Sequence, residues 1–339
     1  MDILTQGLLG GVVAQSIAER DEKKRATLIG IFSGLLADAD ILISSANDPL
    51  LNIEYHRHFT HSLFFVPFGA AVACLLLWPF LRRQLPLSRL YLFCLAGFGL
   101  SGVLDALTSY GTLLFWPFSD QRVAWNAISI VDPVFTLILL VSLVLGWRLA
   151  SRRAALSGLV LCGLYLGLGF IQQHRALQMA DELIAKRNHQ PLQQVVKPTL
   201  GNLLLWRSVY TDSDRIYVDA LRVGLFERTI YPGESVHRFD LSRDLPSLDP
   251  DSTLAQDIRR FERFSDGYAA IEPEQPGVLG DIRYSMLPQS TKPLWGISID
   301  PQNPKEHAEY HFYRDNSQGI RRTFLNMLLG RCAAADCAP

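Results

Sequence analysis

The sequence predicts a polytopic α-helical membrane protein of about six transmembrane helices, followed by an extracytoplasmic α+β domain of mainly antiparallel sheet. Three observations carry that reading. Long apolar runs fill the first half of the chain and stop near residue 172. Basic residues gather in alternate loops between those runs. Beyond 172, aromatic and β-branched runs are separated by Asp, Ser, Pro and Gly. The bulk figures, 49% hydrophobic, 19% charged and a mean hydropathy of +0.14, average over this shift.

Residues 61–80 (HSLFFVPFGAAVACLLLWPF) are almost unbroken in apolarity. They supply the roughly 20 residues that a hydrocarbon core requires. Residues 90–107, 131–150 and 154–171 repeat the pattern. Two weaker segments precede them: residues 3–18, rich in Gly and Ala, and residues 26–44 (ATLIGIFSGLLADADILIS). Small residues let helix backbones approach closely in a membrane, so both segments suit a bundle interior. A signal peptide is disfavoured at the start, where Asp2 follows Met1 and no basic region leads the apolar run.

The loops set an orientation. Arg20, Lys23, Lys24 and Arg25 separate the first two segments; Arg82, Arg83 and Arg89 lie between the third and fourth; Arg148, Arg152 and Arg153 lie between the fifth and sixth. The alternate loops hold only Arg57 and Arg122. The positive-inside rule puts the three basic loops in the cytoplasm. The N-terminus, the 45–60 and 108–130 loops and everything after residue 171 then face the other side. The expected organisation is a transmembrane domain over 1–171 and an extracytoplasmic domain over 172–339. In the latter, 172–188 continues as a polar helix, and 203–210, 216–223 and 295–299 read as strands of a small antiparallel sheet.

The formal net charge of −1 argues against a nucleic-acid partner, which would call for a phosphate-neutralising excess. Cys74, Cys94 and Cys162 fall in apolar runs and read as small core residues. Cys332 and Cys337 would pair only if the tail is extracytoplasmic. The absence of CxxC or zinc-finger spacing argues against a cysteine metal site.

Chemistry gathers at one end of the spans. Asp38 and Asp40 close the second segment as ADAD; His56, His58 and His61 open the third as HRHFTHS; Asp105 lies near the outer end of the fourth; Asn126 and Asp132 precede the fifth. Ionisable groups at membrane depth cost several kcal/mol unless they are paired or functional. A divalent metal is one such partner, and imidazole with carboxylate suits zinc or another first-row ion. Two residues apart on a regular helix, Asp38 and Asp40 cannot both face one ion. At a fraying helix end they can, or one can orient a ligand histidine. Structural readings compete. Asp132 before Pro133 is as well read as a helix cap as a functional residue. A lone interfacial histidine is more often structural than a ligand. Arg122 and Trp125 suit interface anchors.

Several blocks together resemble the YdjM-type family of LexA-regulated, membrane-bound bacterial proteins classed as metal-dependent hydrolases. They are MDILTQGLLGG, LLADAD, HRHFTHSL, LDALTSYGTLLFWPFSD and RVAWNAISIVDPVFT, spread in order over residues 1–150. The resemblance implies an inner-membrane location. It maps the family's HRGxTH-like block onto His56, Arg57, Thr60 and His61, its PDxD block onto Asp38 and Asp40, and its further aspartate onto Asp105. His58 stands in place of the usual glycine, Ser101 in place of a frequent histidine, and Gln6 where some relatives have histidine.

The expected metal ligands are His56, His61, Asp105, Asp40 and Asp38, with Asp38 or Asp40 as the alternative general base. His58, Asp132, Asn126, Ser109 and Gln6 are expected in support. The cofactor expected is a divalent ion, zinc first, and the partners are the lipid bilayer and a lipid-like substrate such as a phospholipid or lipid-linked phosphate. The competing class is a non-enzymatic scaffold or transport-related protein whose His/Asp cluster is a structural clip or a proton-responsive network.

Overall fold

The computed structural model describes residues 1–45 and 47–331, and the tail pair Cys332 and Cys337 lies outside them. The chain divides into two compact units. One comprises Met1–Ile43, Tyr55–Ile171 and Leu200–Asn202; the other comprises Ser44–Glu54, Gln172–Thr199 and Leu203–Pro339.

The first unit is helical. Helix α1 (Ile3–Ile17) is capped by Asp2, whose carboxylate accepts from Thr5 N. Helix α2 (Lys23–Leu36) runs on into a 3-10 turn, Ala37–Leu42, which carries the ADAD motif. A short α3 (Leu51–Tyr55), which belongs to the second unit up to Glu54, precedes a second 3-10 turn, Phe59–His61, and α4 (Val66–Leu81). Then follow α5 (Leu87–Phe98), α6 (Ser101–Ala106), α7 (Pro133–Leu149) and α8 (Arg152–Lys186).

Two stretches, Leu87–Ala106 and α8, are long and apolar enough to cross a bilayer. A third span results if Leu51–His61 and Val66–Leu81, bent by 91° at their junction, are taken as one. Helices α1 and α7 are apolar but shorter, at 15 and 17 residues. At 1.5 Å per residue they extend roughly 22–26 Å, less than the ~30 Å hydrocarbon core. The chain therefore has a helical N-terminal region with two or three candidate spans, fewer than hydropathy alone suggests. The difference arises because α1, α2, α4 and α7 are only 15, 14, 16 and 17 residues long, α2 giving way to the 3-10 turn Ala37–Leu42.

Small residues on α1, α2 and α5 do what the sequence anticipates. A Cβ on Gly10 would stand 2.4 Å from the Gly30 carbonyl oxygen, and one on Gly97 would stand 2.6 Å from the same oxygen. The three backbones therefore touch, and Ala14, Ala26, Ile29, Phe93 and Cys94 pack around them. Cys74, Cys94 and Cys162 are buried free thiols.

The second unit holds two four-stranded antiparallel meanders, where the sequence suggests one small sheet. Strands β1 (Gln193–Pro198), β2 (Leu205–Asp212), β3 (Arg215–Val223) and β4 (Arg228–His237) form the first. After α9 (Leu241–Asp244) and α10 (Thr253–Phe264), strands β5 (Ala269–Glu272), β6 (Gln275–Asp281), β7 (Trp295–Ser298) and β8 (Tyr310–Phe312) form the second. The two share a core of Val209, Ile216, Val218, Val236, Tyr268, Ala270 and Ile282. Helix α11 (Gln318–Leu329) sends Met327 into a separate cluster with Leu205, Ala220 and Tyr231. Helix α8 continues without a break past Ile171, and its polar end anchors here: Arg187 makes a bidentate pair with Asp219 at 2.7 and 2.8 Å and donates to the Tyr210 hydroxyl.

Lys197 on β1 is buried over the Tyr284 ring, 3.0 Å from its centroid, and its Nζ has no hydrogen-bond partner among the described residues. Burial holds its pKa well below the usual lysine value. From that depressed value up to about 10.4, the unfolded chain holds a proton that the folded chain lacks. Stability therefore rises with pH through that window, and the cost of the buried ammonium is fully present below it. Lys197→Met is expected to be neutral or stabilising by about 1–4 kcal/mol at neutral pH. Its advantage over the parent should shrink as pH is raised, read from denaturation midpoints at several pH values; a pH-independent difference contradicts this.

Candidate metal centre

The site is assembled from four short pieces of the first unit. The 3-10 turn after α2 supplies Asp38 and Asp40, the turn before α4 supplies His61, α6 supplies Asp105 and α1 supplies Gln6. Asp38, His61 and Asp105 each offer one ligand atom, and these atoms all lie within 4.8 Å of one another. His61 Nε2 stands 3.0 Å from Asp105 Oδ2 and 3.3 Å from Asp38 Oδ1. Gln6 Nε2 donates to the same two carboxylates, at 2.8 Å to Asp105 and 3.3 Å to Asp38.

Asp40 lies behind His61. Its Oδ2 accepts from Arg57 N at 2.7 Å and Thr60 Oγ1 at 2.9 Å, and stands 3.3 Å from His61 Nδ1. His61 Nδ1 is also 3.0 Å from Thr60 Oγ1. With Nδ1–H toward Asp40 and Thr60, a neutral His61 ring presents its Nε2 lone pair to Asp38 and Asp105. A lone pair facing two carboxylates is repulsive unless a cation lies between them. Consistent with that, His61 Nε2 and Gln6 Oε1 are buried without a hydrogen-bond partner among the described residues. Three carboxylates here face the Arg57 guanidinium, 3.3 Å from Asp105, and the Met1 amino group, which contacts Asp105 Oδ1. Negative charge remains in surplus. The O,O,N donor set, its unpartnered nitrogen and its excess charge fit a divalent first-row ion.

Two local features hold these groups. Arg57 has φ of +56°, a left-handed conformation that L side chains rarely adopt. It is held there by its own N–H on Asp40 and by Thr112 Oγ1 and Leu113 N, which donate to its carbonyl. Strain at such a position is retained where the surroundings over-determine it. Gly102 on α6 is the other: a Cβ there would stand 1.9 Å from the His61 carbonyl oxygen, so only glycine lets α6 and the His61 turn meet.

The remaining expected residues are distributed unevenly. His56 Nδ1 lies 3.3 Å from Asp40 Oδ1, which places His56 beside Asp40 rather than with Asp38, His61 and Asp105. His58 turns to an aromatic group, with ring centroids 5.3 Å from Tyr55 and 5.7 Å from Trp116. Asp132 caps α7, accepting from Val134 N and Phe135 N, and also accepts from the Tyr165 hydroxyl. The cap reading therefore accounts for its contacts. Asn126 donates to the Ala124 carbonyl, and Ser109 is half-buried beyond the end of α6. Ser101 is buried one turn before Asp105. Arg122, read above as an interface anchor, donates to the His56 and Gly111 carbonyls and so supports the loop. The sequence signal for it was its isolation as one of two basic residues in the alternate loops.

A second acidic group, Asp48, Asp257 and His307, lies within the other unit. Its acidic groups share one guanidinium: Arg260 donates to Asp48, Glu54 and Asp257 at 2.7–3.0 Å, and His307 Nδ1 lies 2.8 Å from Asp257. Its members are held by these contacts, and it has no counterpart to His61 Nε2, which is buried without a hydrogen-bond partner among the described residues.

Apolar helices around a buried His/Asp cluster define this protein as a helical membrane protein with a candidate metal centre. Residues 1–176, just over half the chain, match the family model described as YdjM inner membrane protein, and the chain belongs to that family. No curated protein and no solved structure matches it.

Proposed function

We propose that the protein is a membrane-embedded metal-dependent hydrolase whose centre faces the outer side of the inner membrane. The observation that supports this most directly is the three-residue group Asp38, His61 and Asp105, with His61 Nε2 unpartnered by hydrogen bonds and Asp40 orienting the ring. Three protein ligands leave a coordination position for water, as in catalytic rather than closed structural sites. When bound, a divalent ion would lower the pKa of a coordinated water and polarise a phosphoryl or acyl group.

The chain's own residues divide the remaining work. Asp40, with both oxygens engaged, positions His61. Asp38 is the most open of the three ligands, its side chain 13% exposed while His61 and Asp105 are fully buried, so it marks the approach for substrate. The topology in this reading is six membrane passages with the basic loops cytoplasmic and the second unit extracytoplasmic. A centre at that depth favours an amphiphilic substrate such as a phospholipid or lipid-linked phosphate.

The test is metal analysis of the detergent-purified protein beside hydrolysis of lipid phosphates in mixed micelles. About one divalent ion per chain, with turnover lost to a chelator and restored by added metal, is expected. Metal-free protein that refuses reconstitution would sink the proposal. Stoichiometric metal without turnover would favour the structural clip.

A further inference from the structure

The turn between β3 and β4 is closed by Gly224 N donating to the Glu227 carbonyl at 2.9 Å, leaving Leu225 and Phe226 as its two central residues. Tight hairpin turns favour Gly, Asn and Asp at these places. Here the side chains are Leu and Phe, exposed to 79% and 98%, so neither contributes to the fold's core. The turn at the other end of the same sheet, Ser213–Asp214, is polar. The sheet therefore has one apolar and one polar end.

The apolar tip is fastened to α8 at a particular height. Gln172 Nε2 donates to the Val223 carbonyl at 2.9 Å and the Leu203 carbonyl at 3.1 Å. Arg175 donates to the Gly224 carbonyl at 2.8 Å and the Leu225 carbonyl at 3.3 Å. These are the first polar turns after the apolar stretch of α8, whose outward residues Val160, Leu161, Leu164, Leu168 and Ile171 are exposed. The apolar stretch of α8 gives way to polar residues between Ile171 and Arg175, and the hairpin is tied there. On the same end, Arg222 Nε donates to the Leu328 carbonyl, which brings exposed Leu329 of α11 alongside. Near the tip, Arg222 lies 3.2 Å from Glu227 and Arg228 lies 3.9 Å from Glu182.

We infer that the Leu225–Phe226 hairpin tip inserts into the lipid interface beside α8, giving the second unit its own contact with the bilayer. The occupant is lipid because two almost fully exposed apolar residues are tied, through Gln172 and Arg175, to the first polar turns that follow the apolar stretch of α8. The inference rests on α8 being a span and is independent of metal binding.

The experiment uses the full chain with its five cysteines replaced, reconstituted in phosphatidylethanolamine/phosphatidylglycerol vesicles. Nitroxides are placed by Phe226→Cys, Leu225→Cys, Asp214→Cys and Leu164→Cys, one at a time. Collision with oxygen relative to a water-soluble nickel complex should be several-fold higher at 226 and 225 than at 214, and should approach the value at 164. Labels at 226 and 225 as open to nickel as the one at 214 overturn the inference. So does spin–spin broadening at 226, which would mean that a second copy covers the tip. An aqueous label at 164 overturns it differently, by removing the span on which it rests.

Discussion

His61→Ala is expected to lower divalent-metal affinity by about 10²–10³-fold. A four-ligand structural zinc site is worth roughly 10–16 kcal/mol, which puts a single ligand at roughly 2.5–4 kcal/mol, and each ~1.4 kcal/mol is tenfold. The loss should appear as substoichiometric metal after dialysis and as a shifted competition curve against a chelator. Asp40→Asn is the informative companion. Asp40 holds the ring through Nδ1 and is itself held by Arg57 N and Thr60, so the variant keeps the three ligands and loosens their orientation. Loss of an orienting carboxylate costs about 10–100-fold. Equal losses in the two variants would make Asp40 a ligand in its own right. No loss at His61→Ala would remove the centre altogether.

The sequence carried the family, the apolar runs and most of the residues that meet around His61. What it could not carry was their division. Asp38 and Asp40 look equivalent as ADAD, and only the 3-10 geometry of Ala37–Leu42 turns one toward Asp105 and the other behind His61. His56 reads as a ligand by type and spacing, yet its ring stands against Asp40 and Tyr110. Gln6 reads in the sequence as the loss of a family histidine, yet its side chain donates to both ligand carboxylates.

In the second unit the strands 203–210, 216–223 and 295–299 are legible because they combine β-branched and aromatic residues between turn formers. Helix α10 carries a signature that a strand-rich reading passes over. Ser252 caps it, and Leu254, Ile258 and Phe261 face the core at helical spacing amid charged residues. Strands β4 and β6 contain Pro and Gly, residues that weaken any pattern-based assignment.

Gly102→Ala is expected to produce the second large effect, although no side-chain ligand is changed. The added carbon would lie 1.9 Å from the His61 carbonyl oxygen, against a normal contact above ~3 Å. Neither atom is at the end of a flexible side chain, so the His61 turn or α6 must move by about 1 Å. Functional constellations tolerate only ~0.5 Å of misplacement, and a 1 Å error elsewhere costs about 10²-fold. Metal affinity should fall by that order while His61 and Asp105 remain in the chain. Helix α8 supplies the control. A Cβ on Gly163 meets nothing within 4 Å, so Gly163→Ala should leave metal affinity unchanged and stability equal or raised by up to ~1 kcal/mol. If Gly102→Ala instead binds metal like the parent, the close approach of α6 does not set the position of His61. If both glycine variants lose metal together, the loss reflects the bundle as a whole and not the contact between Gly102 and His61.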